Sequence, residues 1–216
     1  MNASLEAISV RIGARVWHLE AVKDQDALLA GVNDDAGLAD FPYGALLWPA
    51  AVGLAAHIDA MGTALSGMRV CEIGCGIGLA GLVAAAHGAR VVQTDWQSPV
   101  LTLAERAALR NGVGGIERRL ADWRDWPDDL SNFDLVIGSD VLYERSVHDA
   151  LGDLLPRLPA DRGSILLSDP LRPPCFDLLD RWEREHRFEV EMGSRHVDWE
   201  GASKEILIAH LRLPRA

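Results

Sequence analysis

The sequence predicts a protein of the α/β class: a seven-stranded, mostly parallel sheet with helices on both faces, closed by an antiparallel C-terminal hairpin and preceded by an N-terminal β-hairpin. Three observations carry this. Short β-rich runs alternate with helical segments through the middle of the 216 residues, which implies βαβ units and hence a parallel sheet. A glycine-rich stretch, "EIGCGIGLAG", separates the first of these strands from the first of these helices. Near the end, the strand candidates "FEVEMGSRHV" and "KEILIAHLRL" are separated only by "DWEGAS". That is too short for a parallel crossover, which needs a dozen or more residues.

The elements follow in order. "LEAISVRIGARVWHLEAV" alternates apolar and polar residues on both sides of Gly13-Ala14, the pattern of a β-hairpin. A loop rich in Asp, Gly and Asn, "GVNDDAGLADFPYG", leads to "WPAAVGLAAHIDAMGTAL", a helix with Pro49 suited to its first turn. Strands are expected at "RVCEI", "RVVQTD", "IERRL", "FDLVIGSD" and "SILLSD", with helices at "GLAGLVAAAHG", "SPVLTLAERAALRNG" and "SVHDALGDLLPRL". The link "ADWRDWPDDLSN", rich in Trp and Asp, is the exception and reads as a loop. "CFDLLDRWEREH" supplies a last helix before the closing hairpin. No repeat, low-complexity segment or linker interrupts the chain, so one domain is expected over 1–216, with 1–40 as an extension and 41–216 as the core. The extension's strand edges are candidates for pairing with another chain.

Bulk properties narrow the function. There are 32 acidic against 21 basic residues, a formal net charge of −11. Binding to nucleic acid is not expected, because phosphate neutralisation needs clustered Lys and Arg. Cys71, Cys75 and Cys175 form neither a disulfide framework nor a CxxC pair. The seven His residues, His57, His87 and His186 among them, show no ligand cluster, and no metal is expected. Apolar stretches are broken well short of about 20 residues and no signal-like segment is seen. The expectation is a cytoplasmic protein with no membrane partner.

The glycine stretch admits two ligands. Gly76-x-Gly78-x-x-Gly81 fits the fingerprint of a dinucleotide site. Glu72, two residues before Gly74, makes the pattern E-x-G-x-G-x-G and would repel a pyrophosphate, but it suits a ligand carrying an ammonium group. Asp95, ending the next strand, is placed for ribose hydroxyls with either cofactor. The antiparallel ending argues against a six-stranded, all-parallel dinucleotide domain. A ligand with adenine, ribose and an amino-acid tail but no phosphate answers all three, and S-adenosylmethionine is that ligand. Glu72, Gly74, Gly76 and Gly78, with Cys75 inside the turn, are its expected neighbours. Gly81 reads as a close-packing position. Trp96 can pack on adenine or lodge at the surface.

"CEIGCGIGLAGL", then "TDW" and "SDVLY", resembles the class I seven-strand methyltransferases, and within them methyltransferase family 16, which contains many protein-lysine methyltransferases. "FPYGALLWPAAVGLAAHI" is similar to that group's Trp-Pro element, and "SDPLRP" resembles a D-P-x-R-P segment of the electron-transfer-flavoprotein β-subunit lysine methyltransferases. The resemblance runs from about Phe41 to Pro173. It implies a Rossmann-like three-layer sandwich, S-adenosylmethionine as cofactor and S-adenosyl-L-homocysteine as product. It places Asp122 near the adenine amino group with Trp123 alongside, Trp48 over the methionine end, and Ser139 beside the cofactor.

"SDVLY" also matches the D-x-x-Y motif, which makes Asp140 and Tyr143 the expected catalytic pair. Methyl transfer is an in-line displacement, so a site must align nucleophile, methyl and sulfur and exclude water. A carboxylate such as Asp140 orients an incoming amine more than it deprotonates it, and Tyr143 can wall the site or donate a hydrogen bond. Asp169, Pro170 and Arg172 either shape the acceptor mouth or form a proline turn with a surface ion pair. The expected function is methyl transfer to a nitrogen, first of all a protein lysine. A small-molecule acceptor and a non-catalytic S-adenosylmethionine-binding module are the alternatives.

Overall fold

The computed structural model describes residues 5–22, 43–185 and 187–214. The part of the Asp-, Gly- and Asn-rich loop before Tyr43, and His186, lie outside the described residues.

Strands β1 (Leu5–Ile12) and β2 (Arg15–Val22) form the expected antiparallel hairpin around Gly13-Ala14. Helix α1 (Pro49–Met61) starts with proline in its first turn, where the missing N–H costs nothing. Then follow β3 (Arg69–Glu72), α2 (Leu79–Ala86), β4 (Arg90–Asp95), α3 (Ser98–Asn111), β5 (Ile116–Leu120), β6 (Phe133–Ser139), α4 (His148–Leu154), β7 (Pro159–Asp169), α5 (Pro173–Arg184), β8 (Glu189–Trp199) and β9 (Ala202–Arg212).

The main sheet has seven strands in the order β5-β4-β3-β6-β7-β9-β8. Neighbours from β5 to β7 pair in parallel, whereas β9 is antiparallel to both β7 and β8. The expected closing hairpin is therefore present, and tighter than the sequence suggested. Its strands absorb most of "DWEGAS" and leave a turn at Glu200 (φ 50°) and Gly201 (φ 78°). Positive φ at both residues matches the right-handed twist of the strands they join.

Successive residues of the central strands go to opposite faces. Val70, Leu135, Ile137 and Leu166 pack with α1, α2, α3 and the N-terminal hairpin, while Cys71, Val136, Ile165 and Leu167 pack with α4 and α5. This is the three-layer Rossmann-like sandwich, with the sheet covered on both faces as parallel strands require. Within the hairpin Trp17 and Leu19 join the core on the α1 side. The Asn111 side chain accepts the His18 N–H at 3.0 Å and donates to the His18 carbonyl at 2.7 Å, which occupies part of the β2 edge.

All five parallel strands end on one edge of the sheet. Open α/β sheets bind ligands in the crevice outside that edge. No helix among the described residues is long and apolar enough to cross a membrane.

Candidate functional site

A cavity of about 830 Å³ opens at these carboxyl ends. Its floor is the turn between β3 and α2. Gly74 and Gly76 have φ of 55° and 53°, a region that residues with a Cβ avoid. At Gly76 a Cβ would also stand 3.0 Å from the Gly44 carbonyl oxygen, so the turn packs against the segment that leads into α1. The end of β4 braces it: Asp95 Oδ2 accepts the Gly76 N–H at 3.0 Å, and Oδ1 accepts the Gln97 N–H at 3.0 Å. Burial pushes the Asp95 carboxyl above its usual range, against the lowering effect of these backbone donors. Gly74, Cys75, Gly76 and Asp95 all line the cavity.

Glu72 and Gly78, expected at the ligand, are not among the lining residues; they hold the turn from behind. Glu72 is 2% exposed. Its carboxylate accepts from Gln93 Nε2 at 2.8 Å and from the backbone N–H groups of Ala80 and Gly81 in the first turn of α2. Gln93 Nε2 also donates to the Gly78 carbonyl at 2.8 Å. The carboxylate thus satisfies N–H groups that a helix start leaves unpaired. Burial raises its pKa from an ordinary 4.5 to about 7, opposed by these hydrogen bonds. A Cβ on Gly81 would meet Glu72 Oε2 at 2.4 Å, so the third glycine of the formal dinucleotide fingerprint serves close packing, as the sequence suggested.

The loop after β5 forms one wall. Asp122 lines the cavity and its Oδ1 accepts the Arg124 N–H at 2.9 Å. The Trp123 ring lies against Gly74, where a Cβ would come 2.9 Å from its Cζ2. Trp96 lines the cavity but is 49% exposed. Trp126 instead donates its indole N–H to the Leu130 carbonyl at 2.8 Å and packs against the α4/α5 core.

The opposite wall carries the expected catalytic pair. Ser139 ends β6 and Asp140 and Tyr143 follow it, all three lining the cavity. Asp140 has φ 58° and donates its N–H to the Ser168 carbonyl at 2.8 Å, which fixes its direction. Arg172 Nη1 donates to Asp140 Oδ1 and lies 3.3 Å from Asp169 Oδ2, while the Arg172 backbone N–H donates to Asp169 Oδ1 at 2.6 Å. Of "SDPLRP", Arg172 alone lines the cavity, where it forms an ion pair with two buried carboxylates. Asp140 Oδ2 is buried with no hydrogen-bond partner. Above this group stand three aromatics, with the Tyr43 ring 6.0 Å from Tyr143 and 6.5 Å from Trp48. Trp48 donates its indole N–H to the Tyr43 carbonyl at 3.0 Å, which sets its orientation in the cavity wall. Burial, with Glu144 nearby, pushes the Tyr143 hydroxyl up to about 12.

Sequence reasoning missed Tyr43, Gly44 and Gln93. Tyr43 and Gly44 lie within the Trp-Pro element, so their signal was present but read only at Trp48. Gln93 points inward from a strand and carries no local signature. The charge of the lining fits a cationic, phosphate-free ligand. Asp95, Asp122, Asp140 and Glu144 face Arg124 and Arg172 there, and Arg172 is already committed to carboxylates. Among the described residues no cluster of His, Cys, Asp and Glu could hold a metal.

Comparison with known proteins agrees with this geometry. Residues 35–178 match the family model described as lysine methyltransferase. The chain is 31% identical over 157 residues to the protein N-lysine methyltransferase METTL21A of Danio rerio, covering 70% of this chain and 67% of that one. It is 32% identical over 141 residues to the histone-arginine methyltransferase METTL23 of Xenopus laevis, covering 62% and 59%. Among solved structures, the N-methyltransferase NodS of Bradyrhizobium japonicum, in complex with S-adenosyl-L-homocysteine, shares the fold. That match has a TM-score of 0.59 at 16% identity, over 74% of this chain and 86% of NodS. The chain belongs to the lysine methyltransferase family and is an S-adenosylmethionine-dependent methyltransferase.

Proposed function

We propose that this member of the family binds S-adenosylmethionine in the 830 Å³ cavity and methylates a nitrogen of another protein, a lysine Nζ before any other. The observation that carries the reading is the meeting, in the lining of one cavity, of the glycine turn braced by Asp95 with Asp140, whose Oδ2 has no partner. The residues fit the cofactor. Gly74 and Gly76 let the backbone approach it, Asp95 would accept from its ribose hydroxyls, and Asp122 from its adenine amine beside Trp123. Trp48 would cover the methionine end, and Glu72 acts through the turn it holds.

Bound there, S-adenosylmethionine supplies an electrophilic methyl on a sulfonium and leaves as S-adenosyl-L-homocysteine. The protein's part is alignment and exclusion of water. Asp140 Oδ2, which has no hydrogen-bond partner, would accept an N–H of the incoming amine once the carboxylate turns it toward the cavity, and so aim the amine lone pair. Because Oδ1 is already paired with Arg172, the carboxylate holds an ammonium less tightly than a free carboxylate would, so loss of the proton to water is opposed less. Tyr43, Trp48 and Tyr143 wall the approach.

A protein acceptor is supported by the relatives named for protein lysine and arginine methylation, and by the rim. Tyr143 and Trp96 are exposed aromatic residues of the cavity lining, and exposed Leu171 directly precedes the lining residue Arg172; the net charge of −11 favours a basic partner over nucleic acid. Three buried thiols without a disulfide suit a reducing compartment such as the cytoplasm. Calorimetric titration of the full chain with S-adenosyl-L-homocysteine and with NAD tests the cofactor. Binding of the first alone is expected; binding of NAD alone would overturn the reading.

A further inference from the structure

A second cavity, of about 380 Å³, shares no lining residue with the first. It lies on the α1 side of the closing hairpin. Gly193 of β8 leaves it open, since a Cβ there would meet no atom within 4 Å. Leu166 and Ile208 form its apolar floor, and His57, Arg195 and His210 bring three cationic or donor-bearing side chains to it.

The hydrogen bonds fix what the imidazoles present. Arg212 Nη2 lies 3.0 Å from His210 Nδ1. A guanidinium only donates, so Nδ1 accepts and the neutral ring carries its proton on Nε2. That Nε2–H is buried without a partner. Arg195 Nε likewise donates to His57 Nδ1 at 3.4 Å, which leaves His57 with its proton on Nε2. The one carboxylate in the lining, Glu191, is drawn to Arg212 at 3.4 Å. An orphaned buried donor calls for a partner, and Arg195 and the two imidazole N–H groups are all donors.

We propose that this cavity binds a small molecule bearing an oxyanion, a phosphate or a carboxylate, held by Arg195 and the Nε2–H of His57, and by that of His210 once the ring turns its buried N–H to the cavity, with its apolar part on Leu166 and Ile208. Burial and the neighbouring guanidinium groups hold both imidazoles below their ordinary pKa. The groups that set the field are His57 from α1, Glu191 and Arg195 from β8, and His210 and Arg212 from β9. An anion between them raises both histidines, so binding tightens as pH falls through their titration.

Histidine ring NMR on the full-length chain, followed over pH with and without inorganic phosphate, tests this. Phosphate is expected to move the His57 and His210 midpoints upward, saturably at concentrations on the order of millimolar. S-adenosyl-L-homocysteine should move neither. Acetate serves as the second probe: a shift with both anions identifies a general oxyanion site, and a shift with phosphate alone identifies a phosphoryl site. Arg195→Gln, and Gly193→Val, whose Cβ meets no atom within 4 Å and whose methyl groups take up the space, should abolish the effect while S-adenosyl-L-homocysteine still binds. No shift with either anion, or an equal shift in both variants, would overturn the proposal and leave water as the partner of His210.

Discussion

Arg172 and Asp140, 32 positions apart in the chain, form an ion pair in the wall of the 830 Å³ cavity, with Asp169 as a third member. The pairing uses one oxygen of Asp140 and leaves the other buried and unpartnered, in a residue that lines the cavity. The acceptor-orienting role proposed for Asp140 rests on that division.

Asp140→Asn keeps a residue type that tolerates the positive φ of this position. It exchanges the carboxylate for an amide that orients an amine poorly. Methyl transfer should fall by about 10²-fold, while S-adenosyl-L-homocysteine binds as before. Single-turnover kinetics and calorimetry on the same preparation check both halves.

Arg172→Met leaves Asp140 and Asp169 buried side by side. Loss of charge-assisted hydrogen bonds should cost about 1–3 kcal/mol of stability, read by urea denaturation. Burial already pushes Asp169 up and Arg172 opposes that. The loss should therefore grow as pH rises through the carboxylate range.

Two glycines of the same turn should separate. In Gly76→Ala the new Cβ meets the Gly44 carbonyl and the residue keeps φ 53°. S-adenosyl-L-homocysteine affinity should drop by about tenfold or more. In Gly81→Ala the Cβ runs into the Glu72 carboxylate, which does not line the cavity. The cost there is mainly stability, about 1–3 kcal/mol. Calorimetry and thermal melting distinguish the two.

Glu72 gives a pH signature. Its pKa rises from 4.5 to about 7 in the folded protein, so between those values the native state holds a proton that the unfolded chain has lost. Stability from this group is fully present below about 4.5 and declines as pH rises through about 7. Glu72→Gln should flatten that part of the stability-pH curve, measured by denaturation at pH steps across the window.

Much of this site was legible because it rests on turns and chain ends. The glycine turn, Asp95 at the end of β4 and Asp140 after β6 all sit where a parallel sheet delivers its loops, and strand-helix alternation alone locates that edge. The closing hairpin was legible for a similar reason, since a short connector forbids a crossover. What the sequence could not give was the direction of a side chain. Glu72 occupies the expected position at the end of β3, yet its carboxylate turns to the first N–H groups of α2 rather than to the cavity. Gln93 completes that arrangement from the next strand with no local pattern to reveal it. Arg172 was visible as part of a proline turn, but its bridging of two carboxylates depends on β6 and β7 lying side by side.

The central claim is methyl transfer to a protein nitrogen, lysine first. The direct test incubates the purified chain and Asp140→Asn with radiolabelled S-adenosylmethionine and a cell lysate, then separates macromolecules from small molecules and hydrolyses the protein fraction. Label in the protein fraction, recovered as methylated lysine and lost with Asp140→Asn, is the predicted result. Label confined to small molecules, or equal labelling by both proteins, would contradict it.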